Sequence, residues 1–206
     1  MMTLDTNLTT LLSHLTKTEH GFKHIISAGD DLIKDENLNH FEIAQELIKH
    51  ESYQGRMLGT YLFGALCAEN ISALKILKTQ VSKDENWRVQ EMLAKAFDYY
   101  AKQIGYKSAL PEIENWLSDE NPNVVRAVIE GLRIWTSRPC FKENPEIAIQ
   151  LISQHNQNES EYVRKSVGNA LRDISRKFPD LVKRKTAEWN LEDKRIAFTS
   201  KLILKK

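Results

Sequence analysis

The stretch Asn86–Tyr100, NWRVQEMLAKAFDYY, has the pattern of one amphipathic helix with two distinct faces. Trp87 and Glu91 are four residues apart, so they share one face of this helix. Trp87 lies about 160° around the helix from Val89, which begins the apolar face. We therefore expect a tryptophan and a carboxylate that point away from the core packing of their own helix. The apolar face recurs at the spacing of a buried stripe, at Val89, Leu93, Ala96, Phe97 and Tyr100.

Most of the remaining chain follows the same helical pattern. The 206 residues include only 8 Gly and 5 Pro, and no stretch alternates between apolar and polar residues with period two. The sequence therefore predicts an all-α protein without a sheet, with a strongly apolar central helix over 53–67. We also expect Asp84 to cap the helix of residues 86–100, and Cys140 to lie in a loop.

An internal repeat links three of these helices. They open on related residues, and with Val89, Val125 and Val163 as anchors the separations are 36 and 38 residues. Apolar residues recur four and seven positions after each anchor. A period of about 40 residues built from two helices is typical of HEAT and armadillo repeats, which stack into a solenoid with an extended concave surface. We predict a HEAT-like or armadillo-type helical solenoid that forms one domain over residues 1–206.

Charge is distributed unevenly along the chain. The net charge is −6 for residues 1–120 and +7 for residues 121–206. Such asymmetry favours an acidic partner for the C-terminal half, although solvated basic faces would give the same composition. Charge alone leaves both interpretations open.

The candidate functional residues lie on helix faces that the repeat superimposes. If successive repeats present equivalent faces, these residues line one concave basic surface, which suits duplex DNA held through its phosphates. Structural roles stay open, because Arg126 and Arg164 could hold neighbouring repeats together and Trp87 could pack between them. The residues of this surface are Trp87, Glu91, Arg126, Glu130, Lys165, Asn169 and Asp173.

Three stretches carry a resemblance to a known family: Asn86–Glu91, Val124–Arg126, and Tyr162–Val182 with the sequence YVRKSVGNALRDISRKFPDLV. Together they resemble the DNA alkylation repair family of HEAT-like DNA glycosylases, the AlkC/AlkD superfamily, over about residues 50–190. The first stretch looks like the Trp-x-x-x-acid motif of the AlkD type. The last stretch is similar to the AlkC-type pattern.

The resemblance implies that the protein excises N3- and N7-alkylated purines from duplex DNA. It makes Glu91 the catalytic carboxylate, Trp87 the aromatic wall beside the lesion nucleotide, and Arg126 a phosphate clamp. An alkylated purine is already cationic and leaves without a strong acid, so a carboxylate that stabilises the oxocarbenium-like sugar would suffice. The AlkD type needs no flipped base and therefore no deep pocket. The remaining DNA-binding residues in this interpretation are Arg164, Lys165, Asn169, Arg172 and Asp173.

The chain departs from the AlkD pattern at two positions. Glu91 replaces an aspartate, and Asn169 replaces a second tryptophan. The AlkC type has Asn at the position of Asn169, and Asp173 also agrees with its pattern. Arg172 departs from that pattern. Two other functions therefore stay open: a non-catalytic relative that binds distorted or branched DNA, and a protein-interaction scaffold.

Other features bound the class of protein. Two cysteines are too few for a disulfide framework, and the most apolar run, Met57–Cys67, is too short to span a bilayer. The sequence contains no glycine-rich phosphate loop and no Ser/His nucleophile pattern. We expect a cytoplasmic monomer that acts on DNA without a metal, a cofactor or a membrane.

Overall fold

The structure, a computed structural model, describes the backbone of residues 4–205 and the side chains of residues 8–205. This part of the chain contains thirteen α-helices, one short 3-10 helix at Val81–Lys83, and no β-strand. The predicted all-α class is therefore confirmed. The α-helices are α1 Leu4–Leu15, α2 Lys23–Ile33, α3 His40–Leu47, α4 Tyr53–Leu66, α5 Ile71–Thr79, α6 Trp87–Ile104, α7 Leu110–Leu117, α8 Pro122–Trp135, α9 Pro139–Glu143, α10 Pro145–Ser153, α11 Glu161–Ser175, α12 Pro179–Thr186 and α13 Lys194–Ile203.

The helices form two compact units, Met1–Gln103 and Ile104–Lys206. Across the unit boundary the composition changes: the first unit holds 11 Lys/Arg and 14 Asp/Glu, and the second holds 18 and 14. The basic excess of the chain therefore resides in the second unit. The assignment of one domain to residues 1–206 stays a prediction.

Helix α4 is the central helix of the first unit, as its apolar sequence predicts. It packs against α2, α3 and α5, and most of its side chains are buried. Gly64 allows an especially close approach to α6, because an added Cβ would lie only 2.7 Å from the Cα atom of Ala96. This contact holds α6 against α4 and turns the opposite face of α6 outward.

In the second unit, helices α8, α11 and α13 pack in sequence, with α11 in contact with both neighbours. Helices α10 and α12 pack on each other and against α11. Such paired layers are the arrangement expected when each helix pair buries its apolar face against the next pair.

The repeat positions all lie in the core. Val89, Val125 and Val163 are each at most 1% exposed. The predicted apolar periodicity is thereby confirmed for α6, α8 and α11. The residues four and seven positions later are also buried: Leu93, Ile129, Val167, Ala96, Leu132 and Ala170.

Two local predictions were wrong. Asn86, and not Asp84, caps α6, since the Asn86 Oδ1 accepts the backbone N–H of Arg88 at 3.0 Å. Asp84 lies too far before the helix and instead accepts the N–H of Asn86 and pairs with Arg56. Cys140 lies in the short helix α9, because Pro139 supplies the fixed backbone angle that suits a first helical turn.

No helix in the part of the chain that the structure describes is long and apolar enough to cross a membrane.

Candidate nucleic-acid interface

The first turn of α6 presents Trp87 at the surface. Its side chain is 54% exposed, whereas the core stripe of the same helix is buried. Glu91 follows one helical turn later and is half-buried. The predicted outward direction of Trp87 is confirmed, and this exposure argues against packing of the indole between repeats.

Arg88 lies next to Trp87 and was assigned no role from the sequence. Its guanidinium carbon stacks 4.5 Å from the centre of the Trp87 ring and 5.0 Å from that of Tyr53. One Nη atom lies 2.8 Å from Nδ1 of His20. The Tyr53 hydroxyl donates to the Glu19 carbonyl, which fixes the position of this ring. The cluster brings together the first turns of α4 and α6 and the segment before α2.

Arg126 is buried in the second unit and is only 7% exposed. Its Nη2 lies 3.8 Å from the Glu130 carboxylate, and its guanidinium carbon lies 4.7 Å from the centre of the Tyr162 ring. A carboxylate and an aromatic ring therefore already cover the charge that a phosphate clamp would use. This geometry favours the alternative in which Arg126 holds neighbouring helices, and its contact with DNA stays a prediction.

The Arg164 side chain forms hydrogen bonds with the turn that precedes α11. Its Nη1 donates to the carbonyls of Asn158 at 2.6 Å and Glu159 at 2.9 Å. Arg56 makes the same pair of contacts before α4, to the carbonyls of His50 at 3.1 Å and Glu51 at 2.8 Å. In both cases the arginine comes four residues after the serine that caps the helix. The Ser-x-x-x-Arg spacing was the signal that could have identified this structural role.

Helices α8 and α11 share a row of ion pairs. Arg133 Nη1 lies 3.1 Å from Glu130 and 3.7 Å from Asp173, so it links the two helices. Asp173 also lies 3.9 Å from Arg172 and 3.7 Å from Arg176. The ion pair between Arg133 and Asp173 thus joins α8 and α11 within the second unit. Arg133 belongs to this row although the predicted site omitted it.

Lys165 and Asn169 lie on the same helix as Asp173. The Lys165 ammonium is 2.7 Å from the Glu161 carboxylate, and its hydrogen bond and positive charge hold the pKa of Glu161 below its usual range. Both side chains are largely exposed, so this pair contributes little to stability. Asn169 is half-buried.

Trp87 and Glu91 belong to the first unit, and the other candidate residues belong to the second. Their alignment along one concave surface therefore stays a prediction.

The part of the chain that the structure describes contains no group of three or more His, Cys, Asp or Glu side chains placed to hold a metal ion. Burial raises the pKa of the Cys67 thiol to about 12, which leaves it protonated at neutral pH.

The fold and the exposed Trp-x-x-x-acid motif define an all-α helical-repeat protein with a candidate aromatic and carboxylate site. The chain belongs to the DNA alkylation repair enzyme family, whose family model matches residues 25–195. The resemblance seen in the sequence is therefore confirmed.

Among solved structures, AlkD2 from Streptococcus mutans is 46% identical, covers 98% of both chains and superposes with a TM-score of 0.92. The DNA-bound alkylpurine DNA glycosylase AlkC from Pseudomonas fluorescens is 21% identical over 89% of this chain and 61% of its own, with a TM-score of 0.51, and shares the fold. These neighbours are HEAT-like repeat proteins, which confirms the predicted fold class.

A curated relative, the uncharacterised protein YhaZ of Bacillus subtilis (strain 168), is 37% identical over 90 residues. That match covers 42% of this chain and 25% of the relative, so the chain spans about a quarter of its length.

Proposed function

We propose that this protein binds duplex DNA and hydrolyses the N-glycosidic bond of N3- or N7-alkylated purines. The observation that carries the proposal is the exposed Trp87 with Glu91 one turn later on α6. Membership of the DNA alkylation repair enzyme family supports it. The DNA bound in the solved structure of the AlkC relative supports DNA as the ligand.

Glu91 is the catalytic carboxylate in this proposal. The bond between C1′ of the sugar and the purine breaks, and its electron pair neutralises the positive charge of the alkylated base. The sugar becomes oxocarbenium-like, and the negative charge of Glu91 stabilises it. Water then adds to C1′ and loses a proton, which leaves a free alkylpurine and an abasic site.

Trp87 positions the lesion nucleotide beside Glu91. Arg88 covers part of the indole, and the remaining exposed surface is available to the sugar or base of the nucleotide. Because an exposed ring contacts the nucleotide at the protein surface, the reaction needs no deep pocket for an extruded base.

The row between α8 and α11 supplies contacts to the DNA backbone. Of the four arginines beside two carboxylates there, Arg126 is buried, so the positive excess that phosphates can neutralise comes from Arg133, Arg172 and Arg176. Lys165 adds an exposed cation on α11. The members of the row are Arg126, Glu130, Arg133, Arg172, Asp173 and Arg176.

The decisive experiment measures free 3-methyladenine and 7-methylguanine released from methylated duplex DNA by the intact protein. We expect release by the wild type and a rate at least about a hundredfold lower for Glu91→Gln, because the carboxylate charge at the reacting centre is lost. Glu85→Gln is the matched control, since Glu85 is an exposed acid just before α6 and should leave the rate unchanged. No release by the wild type at any protein concentration would overturn the glycosylase proposal.

A second candidate function is DNA binding without excision, and Asn169 favours it. An amide on α11 cannot stack on a nucleotide as an aromatic ring does, so the site has one aromatic wall fewer than the AlkD pattern implies. Tight binding to distorted or branched DNA without base release is the result expected for this function. Absence of DNA binding would leave the protein-interaction scaffold.

A further inference from the structure

Arg88 is a cation that the protein holds in place without a carboxylate. Among the described residues, its contacts are the rings of Trp87 and Tyr53 and the Nδ1 atom of His20, and it makes no ion pair. Its Nε is buried without a hydrogen-bond partner. By contrast, Arg56 and Arg133 lie 2.5 Å and 3.1 Å from a carboxylate. The unpartnered buried Nε and the lack of a carboxylate beside the guanidinium among the described residues suggest that an anion from outside the chain completes the site.

The positive charge of the cluster comes from Arg88. An arginine only donates hydrogen bonds, so the His20 Nδ1 is the acceptor in this contact. The Glu19 carboxylate lies 3.8 Å from the His20 Nε2, which is the ring nitrogen that does not contact Arg88. The Glu19 carboxylate is therefore directed to His20, and the positive charge of the Arg88 guanidinium has no carboxylate beside it.

The geometry also selects the kind of anion. Contacts with two rings restrict the position of the guanidinium, and the hydrogen bond to His20 restricts its rotation. A planar donor group of restricted orientation matches the oxygens of a phosphate, which accept parallel N–H donors. Because the protein already restricts the guanidinium, less conformational entropy is lost when a ligand binds.

We propose that Arg88 binds a backbone phosphate of the DNA strand that Trp87 contacts, with Tyr53 and His20 as its positioning residues. This inference rests on the proposed DNA binding and is independent of base excision. It assigns Arg88 a DNA contact that the motif Trp-x-x-x-acid does not include. The phosphate lies within a nucleotide or so of the lesion, because Arg88 and Trp87 are consecutive in the chain.

The test combines variants of the protein with duplexes that carry one neutral methylphosphonate linkage, moved stepwise through the site. We expect Arg88→Gln to weaken duplex binding about tenfold, because a charge-assisted hydrogen bond to phosphate is lost. The slope of log K against log salt should become shallower by about 0.9, the value for one phosphate contact. Arg88→Lys should keep the slope but lose part of the affinity, since an ammonium lacks the planar donor pair.

Lys75→Gln is the matched control, because it removes one exposed positive charge from α5 in the same unit. One methylphosphonate position should weaken the wild type but have no further effect on Arg88→Gln. Thermal unfolding of each variant verifies that it folds.

Equal affinities and salt slopes for the wild type, Arg88→Gln and Lys75→Gln would overturn the Arg88 contact while the proposed DNA binding stands. Losses at every methylphosphonate position in Arg88→Gln would also overturn it, because they would indicate a diffuse charge effect. Absence of duplex binding by the wild type would overturn both the proposed function and this inference.

Discussion

At the scale of single residues, Arg56 forms a partly buried ion pair with Asp84. Its Nε lies 2.5 Å from Asp84, and its Nη1 donates to two carbonyls of the turn before α4. The side chains of Arg56 and Asp84 are only 22% and 10% exposed. The pair therefore joins the start of α4 to the segment before α6 in a partly desolvated setting, where loss of one partner leaves a buried charge.

Arg56→Ala should destabilise the protein by about 3 kcal/mol, because Asp84 and two carbonyls lose their partner. Lys34→Ala is the control, since the Lys34–Asp31 pair is 73% and 70% exposed and should leave the free energy of unfolding unchanged within error. Urea unfolding of both variants measures the difference. Equal stability of Arg56→Ala and the wild type would contradict a structural role for this arginine.

The arginines also show where inference from the sequence reaches its limit. The period of the apolar residues placed Trp87 on an outer face, and the structure agrees. The same period placed Arg126 off the core stripe of α8, yet Tyr162 from α11 covers it. Periodicity fixes the direction of a side chain around its own helix, but burial also depends on which side chain of a distant helix lies above it.

At the scale of helices, close crossings set the positions of the functional faces. Helix α11 approaches α13 at Gly168, where an added Cβ would lie 2.5 Å from the Leu202 Cβ and 3.0 Å from the Thr199 carbonyl oxygen. The neighbouring backbone cannot move aside without shifting α13. Gly168 therefore fixes the packing of the helix that carries Lys165, Asn169 and Asp173.

Gly168→Ala should destabilise the protein by about 1 to 3 kcal/mol, the range for overpacking at a tight contact. The intrinsic helix preference of alanine acts in the opposite direction, so a loss of stability would identify the steric clash. Lys165→Ala, on an exposed face of the same helix, should leave the unfolding midpoint in urea unchanged. An increase in stability for Gly168→Ala would contradict the close crossing.

The sequence predicts the presence of a long helix far better than the residues at which that helix begins and ends. Val89, Leu93 and Phe97 identify α6 through repeated burial, a signal that accumulates over many residues. Its start depends on one capping contact, for which Asp84 and Asn86 were both chemically suitable. Helix α9 was missed because five residues are too few to show a periodic pattern.

At the scale of the whole molecule, the HEAT-like class could be predicted because the repeat recurs three times. Equivalent buried positions in successive helix pairs hold the anchors Val89, Val125 and Val163. The division into two compact units was not visible, since no flexible linker marks Gln103 and the gradual change from an acidic to a basic excess does not locate a boundary. The charged contacts of the second unit depend on side-chain geometry that a repeat alignment does not contain.

Salt dependence of duplex DNA binding tests the central claim most directly. The second unit carries 18 Lys/Arg against 14 Asp/Glu, and we propose that cations on α8 and α11 meet backbone phosphates. We expect the intact protein to bind an undamaged duplex, with log K falling linearly against log salt at a slope steeper than about −3. Fluorescence anisotropy over a series of salt concentrations gives this slope. Absence of binding, or an affinity indifferent to salt, would contradict the account.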